Sequence, residues 1–355
     1  MAIALTLRTY KTATIVGSLA VITGMIVLYS LTVGAVAMPV RDVSIILLQK
    51  LGLVSSTEVD ATSVIVLETI RLPRVLMTLL IGAALGVSGA SLQGLFRNPL
   101  VEPSLIGVSG GSAAAVVGVI VFGTVLSQTL PTLVYNSLTP IVAFAGGLIA
   151  TLIVLKLSYQ AGRTNMAVLV LIGVAMNALT GAIIGLAIFY ADENQLRTFT
   201  FWTLGDLGGA TWDKLFIAAP LLIVSCVVIS FYSRSLNVLA LGEAEAYHMG
   251  VDVERVKRIL IFFSALAVGV SVSLSGIIGF IGLVVPHLVR VCFQPDHKLV
   301  LPASIFGGAS LLLVADLIAR TIVAPAELPI GVVTALIGAP FFIALLLRAK
   351  QKNEI

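Results

Sequence analysis

Residues 71–111 read RLPRVLMTLLIGAALGVSGASLQGLFRNPLVEPSLIGVSGG. Two arginines, Arg71 and Arg74, flank a proline, and an apolar run then extends from Val75 to Leu92. About 20 apolar residues at 1.5 Å each span the hydrocarbon of a bilayer, so this run is long enough to cross. Gly82 and Gly86 stand four apart among Ala83, Ala84, Ser88, Gly89 and Ala90. Small residues at that spacing let a second helix approach closely, which is how membrane helices pack once apolar burial no longer drives association. Arg97, Asn98 and Pro99, then Glu102 and Pro103, form a polar turn that stops the helix, and Ser104 is placed to N-cap the next one. The stretch predicts a membrane helix hairpin built on small residues.

Composition extends that reading to the whole chain. Hydrophobic residues make up 59% of 355 and charged residues 11%, against about 25% charged in a soluble domain. Mean hydropathy is +1.12. No water-soluble core buries that much apolar surface, so the chain reads as an all-α polytopic membrane protein of one domain, residues 1–355. The formal charge of +4 is small and carries topological information, not a nucleic-acid signal. Cys226 and Cys292 both lie in apolar context and read as membrane-core thiols. Arg8 and Lys11 precede an apolar stretch long enough to be a first spanning helix, so no cleavable leader is expected.

Ten apolar segments follow in order, over roughly 13–38, 72–95, 104–126, 138–157, 166–190, 215–233, 259–275, 277–293, 299–320 and 329–348. Only Ser275 and Gly276 separate the seventh from the eighth, and the eighth carries Pro286 and His287, the mark of a broken or half-length helix. With the N-terminus cytoplasmic, fourteen Lys and Arg residues fall inside and seven outside, which favours both termini inside. Arg71, Arg74 and Arg320 belong to the outer seven and call for an explanation.

Two polar stretches have a character of their own. Residues 39–60 read as a short amphipathic helix and loop on the outer face. Residues 234–258, RSLNVLALGEAEAYHMGVDVERVKR, form the longest insertion on the cytoplasmic side, two short helices punctuated by Gly242 and Gly250. That insertion is either a connector or a docking element for a soluble partner.

Several chemistries are excluded. None of the eight lysines follows a glycine, so the phosphate-cradling G-x-x-x-x-G-K-[ST] loop is absent. His248, His287 and His297 have no metal-ligand spacing, and no nucleophile–base pair can be argued, so neither a metal site nor a catalytic residue is expected. Asp316 is the clearest acid inside a span, a functional candidate by default, although Arg320 at i+4 offers it a plain salt-bridge partner. A secondary transporter would need several such acids in two repeated halves, and a membrane-embedded enzyme an intramembrane catalytic constellation.

Three stretches in order carry a resemblance: 71–111, then 276–290 (GIIGFIGLVVPHLVR), then 326–340 (AELPIGVVTALIGAP). Together they resemble the permease subunits of bacterial ten-helix, type II ABC importers for ferric siderophores, haem and cobalamin, over about residues 60–348. The resemblance implies a homodimer around a central pathway in the bacterial cytoplasmic (inner) membrane. It also implies two cytoplasmic ATPase subunits that bind ATP-Mg, and a periplasmic binding protein that delivers the chelate. Nucleotide-driven closure of the ATPases would rock the helix bundles between outward- and inward-open states.

Residue by residue, the insertion matches the family's coupling element. Leu239, Ala240, Leu241, Glu243, Ala244, Ala246, His248 and Gly250 would carry the push, with Gly242 as the turn. Arg71, Arg74 and Arg320 align with arginines that pair with acidic residues of the binding protein; snorkelling interfacial anchors are the plainer alternative. The fifth helix would line the pathway through Asn165, Gly173, Asn177, Gly181 and Gly185, unless Gly181 and Gly185 serve ordinary packing. Gln93, Arg97 and Asn98 would contribute to the inner gate or the ATPase contact, or simply stop the helix. The external loop 195–212, QLRTFTFWTLGDLGGATW, is most similar to its equivalent in haem permeases, except that Asp206 stands where those carry a small residue. Haem is thus the expected transported substrate, ahead of a ferric siderophore and cobalamin, and no permanently bound cofactor is expected. Neither Tyr190 nor Met176 makes a conventional axial ligand.

Overall fold

The computed structural model describes residues 2–34, 38–50, 52–53, 59–123, 132–160 and 162–351. Residues 35–37 of the first expected segment, 51 and 54–58 of the outer stretch, and 124–126 of the third segment lie outside the described residues.

The chain is helical almost throughout. α1 (Ala2–Thr32) and α2 (Val40–Lys50) lead into α3 (Ala61–Ile65), which continues through a π-helical stretch, Val66–Arg71, into α4 (Leu72–Leu95). A 3-10 turn, Pro103–Ile106, precedes α5 (Val108–Val121). Next come α6 (Thr132–Ser158), a two-stranded hairpin of β1 (Tyr159–Gln160) and β2 (Arg163–Thr164), α7 (Met166–Tyr190), α8 (Glu193–Leu204) and α9 (Trp212–Phe231). The short α10 (Ser233–Leu239) and α11 (Glu243–His248) are followed by α12 (Val253–Ser275), α13 (Ile281–Cys292), α14 (His297–Thr321) and α15 (Ile330–Gln351).

Each of the ten expected spans holds a helix among its described residues. Among the described residues seven helices are long and apolar enough to cross a membrane, and Val108–Val121, Ile281–Cys292 and Ile330–Ala344 are shorter apolar ones. The eighth segment is a half-length helix, α13, with Pro286 inside it. Side-chain caps start five of the helices: Asn165 for α7, Asp192 for α8, Thr211 for α9, Asp252 for α12 and Asp296 for α14.

α4 is the axis of the bundle, with 83% of its spanning window buried. It is surrounded by α1, α9, α12, α13 and α14, while α5, α6 and α7 form a second group joined to it through α12. The small-residue face explains the closeness. A Cβ on Gly82 or Gly86 would run into the backbone of Gly308 or Ser304 on α14, and one on Gly89 into the backbone of Gly282 on α13.

Four readings change. The helix containing α4 begins at Ala61, so Arg71 and Arg74 lie within a continuous helix; the π stretch just before Pro73 makes room for a ring that would otherwise strike a carbonyl one turn back. Ser104 does not cap α5. It sits in the 3-10 turn, and Gly107, in the left-handed region at φ 83°, is the residue that turns the chain into the helix. The stretch 195–212 is not a loop over its first half: α8 is fixed by a capping box between Asp192 and Gln195 and by burial of Phe199. The first helix starts at Ala2, well before residue 13, and ends at Thr32.

Candidate functional site

Five charged side chains converge where α1 ends, α4 begins and α14 ends. Arg74 donates from Nε (3.0 Å) and Nη2 (2.8 Å) to Asp316 Oδ1, and from Nη1 and Nη2 to the two carboxylate oxygens of Glu327, both at 2.9 Å. Arg320 Nε stands 3.5 Å from Asp316 Oδ2, an ion pair without a hydrogen bond. Arg320 Nη2 donates to the carbonyl of Ser30 (2.7 Å), and Arg71 Nη1 to that of Leu31 (2.6 Å). These are carbonyls of the last turn of α1, which have no partner within their own helix. Two guanidiniums thus cap a helix C-terminus, where its dipole favours positive charge.

The three arginines expected on the outer face are therefore buried: Arg71 is 4% exposed, Arg74 8% and Arg320 6%. The expected Asp316–Arg320 pair exists, but the stronger partner of Asp316 is Arg74, brought from another helix and invisible to local spacing. Within the Arg74–Asp316–Glu327 group, Glu327 is the member that meets solvent, with 44% of its side chain exposed.

A second polar chain lies deeper, with little local signal in the sequence to announce it. Gly107 packs against Met176, ten residues along α7, or about 15 Å from its start. The segment before α5 therefore folds into the bundle. There Asn177 Nδ2 donates to the carbonyl of Ser104 (3.2 Å), Ser104 Oγ donates to Glu102 Oε2 (3.3 Å), and Glu102 Oε1 accepts the amide of Phe280 (3.1 Å). Phe280, at φ 68°, is the N-cap of α13. Glu102, read from sequence as part of a helix stop, joins α7 to the broken eighth span.

The other pathway candidates divide. Asn165 caps α7, its Oδ1 accepting from the amides of Ala167 and Val168. Gly173 lies against the carbonyl of Leu105, a close approach to the 3-10 turn. Gly181 and Gly185 have nothing within 4 Å of where a Cβ would stand. They share the open face of α7 with Leu171, Leu186 and Phe189.

At the other end of α4, Gln93 is buried and donates to the carbonyls of Gly282 (3.2 Å) and Leu283 (3.3 Å), while its Oε1 accepts from Arg290. Arg97 and Asn98 are exposed, Arg97 in a left-handed turn at φ 51° and Asn98 capping the amide of Leu100. Gln93 thus ties α4 to α13, and only its two companions present a surface.

The insertion consists of two short helices, as expected. Leu239 and Ala246 are buried and anchor it. Asn237 bonds Asp296 and His297 at the start of α14. Ala240, Ala244, His248 and Gly250 are exposed, and so are Leu241 (66%), Tyr247 (74%) and Met249 (61%). Gly242 holds φ 134°, where an L side chain is strained and a Cβ would meet the Glu245 carboxylate. The segment thus turns three large apolar side chains outward beside charged ones. Among the described residues no cluster of His, Cys, Asp or Glu is fit to hold a metal ion.

The comparisons agree with this architecture. Residues 21–348 match the FecCD transport family. The chain is 46% identical over 285 residues to the hemin transport system permease protein HmuU of Yersinia pestis, covering 80% of this chain and 84% of that protein. It is 41% identical over 288 residues to the cobalamin import system permease protein BtuC of Halobacterium salinarum (81% and 75% covered). It is 43% identical over 282 residues to the vitamin B12 import system permease protein BtuC of Escherichia coli O9:H4 (79% and 83%). A structure of a metal-chelate type ABC transporter in an inward-facing conformation superposes with a TM-score of 0.80 at 31% identity, covering 94% of this chain and 99% of that one. The chain belongs to the FecCD transport family, as a multi-pass membrane permease with the type II ABC importer fold.

Proposed function

We propose that the chain is the permease subunit of an ATP-driven importer that carries an iron chelate, haem in the first place, from the periplasm to the cytoplasm. Two copies would enclose the pathway in the inner membrane with both termini cytoplasmic. Two separate ATPase subunits would seat on the insertion 234–258, and a periplasmic binding protein would dock at the opposite end.

The observation that carries the reading is the outward face of Leu241, Tyr247 and Met249 around the strained Gly242 turn. A passive connector between spans has no use for three exposed apolar side chains beside acidic ones. The open face of α7, with Gly181 and Gly185 bare, supports a second copy or a substrate there. At the outer end, Glu327 and the arginines beneath it would meet the binding protein.

Haem is favoured by the 46% identity to a hemin permease. Identities of 41% and 43% to cobalamin permeases support cobalamin as the second reading, with a ferric siderophore third. Competition decides between them. In vesicles holding the complete importer, excess unlabelled haem with its binding protein should suppress labelled haem uptake, and cobalamin should not. Uptake of cobalamin alone would replace haem by the second reading.

A further inference from the structure

Lys257 is a lysine with nowhere to solvate. It lies on the second turn of α12 with its side chain 4% exposed, and its Nζ donates to Glu243 Oε2 at 2.8 Å and to the carbonyl of Thr164 at 3.1 Å. Glu243 is the first residue of α11, the second helix of the insertion. Thr164 closes the β1–β2 hairpin, and the next residue, Asn165, is the N-cap of α7. Glu254, nearly one turn before Lys257, holds the same threonine from the other side, accepting its amide at 3.0 Å and its hydroxyl at 2.5 Å. Thr164 is thus gripped at N–H, carbonyl and hydroxyl by two side chains of α12, one of which also grips α11.

A buried ammonium is costly unless it is paired and hydrogen-bonded. A lysine needed only for topology would lie in water. Here both partners are supplied by other elements, and each sits at the end of a helix that the functional reading singles out. The pair also lines two adjoining grooves of about 1050 and 670 Å³, so a partner seated beside Tyr247 and Arg163 would bear directly on it.

We propose that Lys257 is a positioning residue for transport: it clamps α11 to the start of α7, so that displacement of the insertion by an ATPase moves the pathway helix with it. This rests on the coupling role proposed for residues 234–258. Glu254 keeps the hairpin on α12, and Lys257 makes hairpin, α12 and α11 one body.

The test uses the assembled importer in lipid, free of Cys226 and Cys292, with spin labels at A244C on α11 and A167C in the first turn of α7, one labelled copy per complex. With Lys257 intact the inter-label distance is expected to be the same without nucleotide and with ATP bound. In Lys257→Met it should change on ATP binding, and substrate moved per ATP should fall by about fivefold, the lower end of a coupling between two sites. Lys257→Arg, which keeps a cation with several donors, should restore both readouts. Glu243→Ala alters a residue whose side chain is 42% exposed and removes the acceptor that makes the α11 link, so it repeats the test if Lys257→Met does not assemble. A purely structural lysine would lower thermal stability and leave distance and stoichiometry unchanged, which overturns the clamp. A distance that already changes with ATP in the parent overturns it too. A parent complex whose transport is indifferent to ATP removes the coupling reading itself, a result recognisable before any variant is made.

Discussion

Asp316→Asn is the substitution whose effect the charge cluster defines most sharply. Asp316 is fully buried at 0% exposure and accepts two hydrogen bonds from Arg74, at 2.8 and 3.0 Å, with Arg320 Nε 3.5 Å away. The cluster holds the guanidiniums of Arg74 and Arg320 against the carboxylate of Asp316, with Glu327 as the second acceptor of Arg74. Neutralising Asp316 leaves those cations facing one carboxylate, and that one partly in water. Removing one partner of a buried pair costs about 3–5 kcal/mol, because the other charge stays buried. Glu327→Gln breaks contacts with the same arginine at the same distance, 2.9 Å, yet Glu327 is 44% exposed, and a screened pair of that kind is worth about 0–1 kcal/mol. The asparagine variant should therefore lose several times more stability than the glutamine variant. Thermal unfolding of the purified protein in lipid nanodiscs, followed by tryptophan fluorescence, measures both. Equal losses, or an Asp316→Asn variant within about 0.5 kcal/mol of the parent (the range of ordinary surface substitutions), would refute the account of the cluster.

Gly89→Ala should destabilise by about 1–3 kcal/mol, since the new Cβ overlaps the Gly282 backbone, whereas Gly181→Ala, with nothing within 4 Å, should leave the stability of the chain unchanged; the same unfolding assay compares them. Gly242→Pro removes an amide that donates to Leu239 (3.1 Å) and forbids φ 134°. It should abolish co-purification of the ATPase while the spans stay folded, and normal binding and transport by this variant would remove the coupling assignment.

The elements visible in the sequence are those set by local chemistry. Gly82 and Gly86 announce a close helix contact because the signal is a spacing within one helix, and the structure supplies the partners, Ser304 and Gly308. Pro286 and the bare Ser275–Gly276 junction mark a half-length eighth span for the same reason. What stayed hidden depends on contacts between distant elements. Arg74 meets Asp316 across 242 positions, and Glu102 meets Phe280 across 178, so neither pairing leaves a periodic trace. The presence of Arg71, Arg74 and Arg320 near span ends was legible, but their burial was not, because a guanidinium that caps the end of α1 looks the same in sequence as one that waits for a partner. Charge reversal at Arg74 would accordingly test folding before it tested docking. The helix α8 was hidden by its aromatic and threonine content, where the capping box of Asp192 and Gln195 was the signal available.

The most direct test of the account is uptake into sealed vesicles. The permease is reconstituted with its ATPase, ATP is enclosed, and binding protein loaded with haem is supplied outside. The account predicts haem accumulation that requires both the nucleotide and the binding protein and stops when either is withheld. Accumulation driven by an ion gradient with no ATPase present would contradict it.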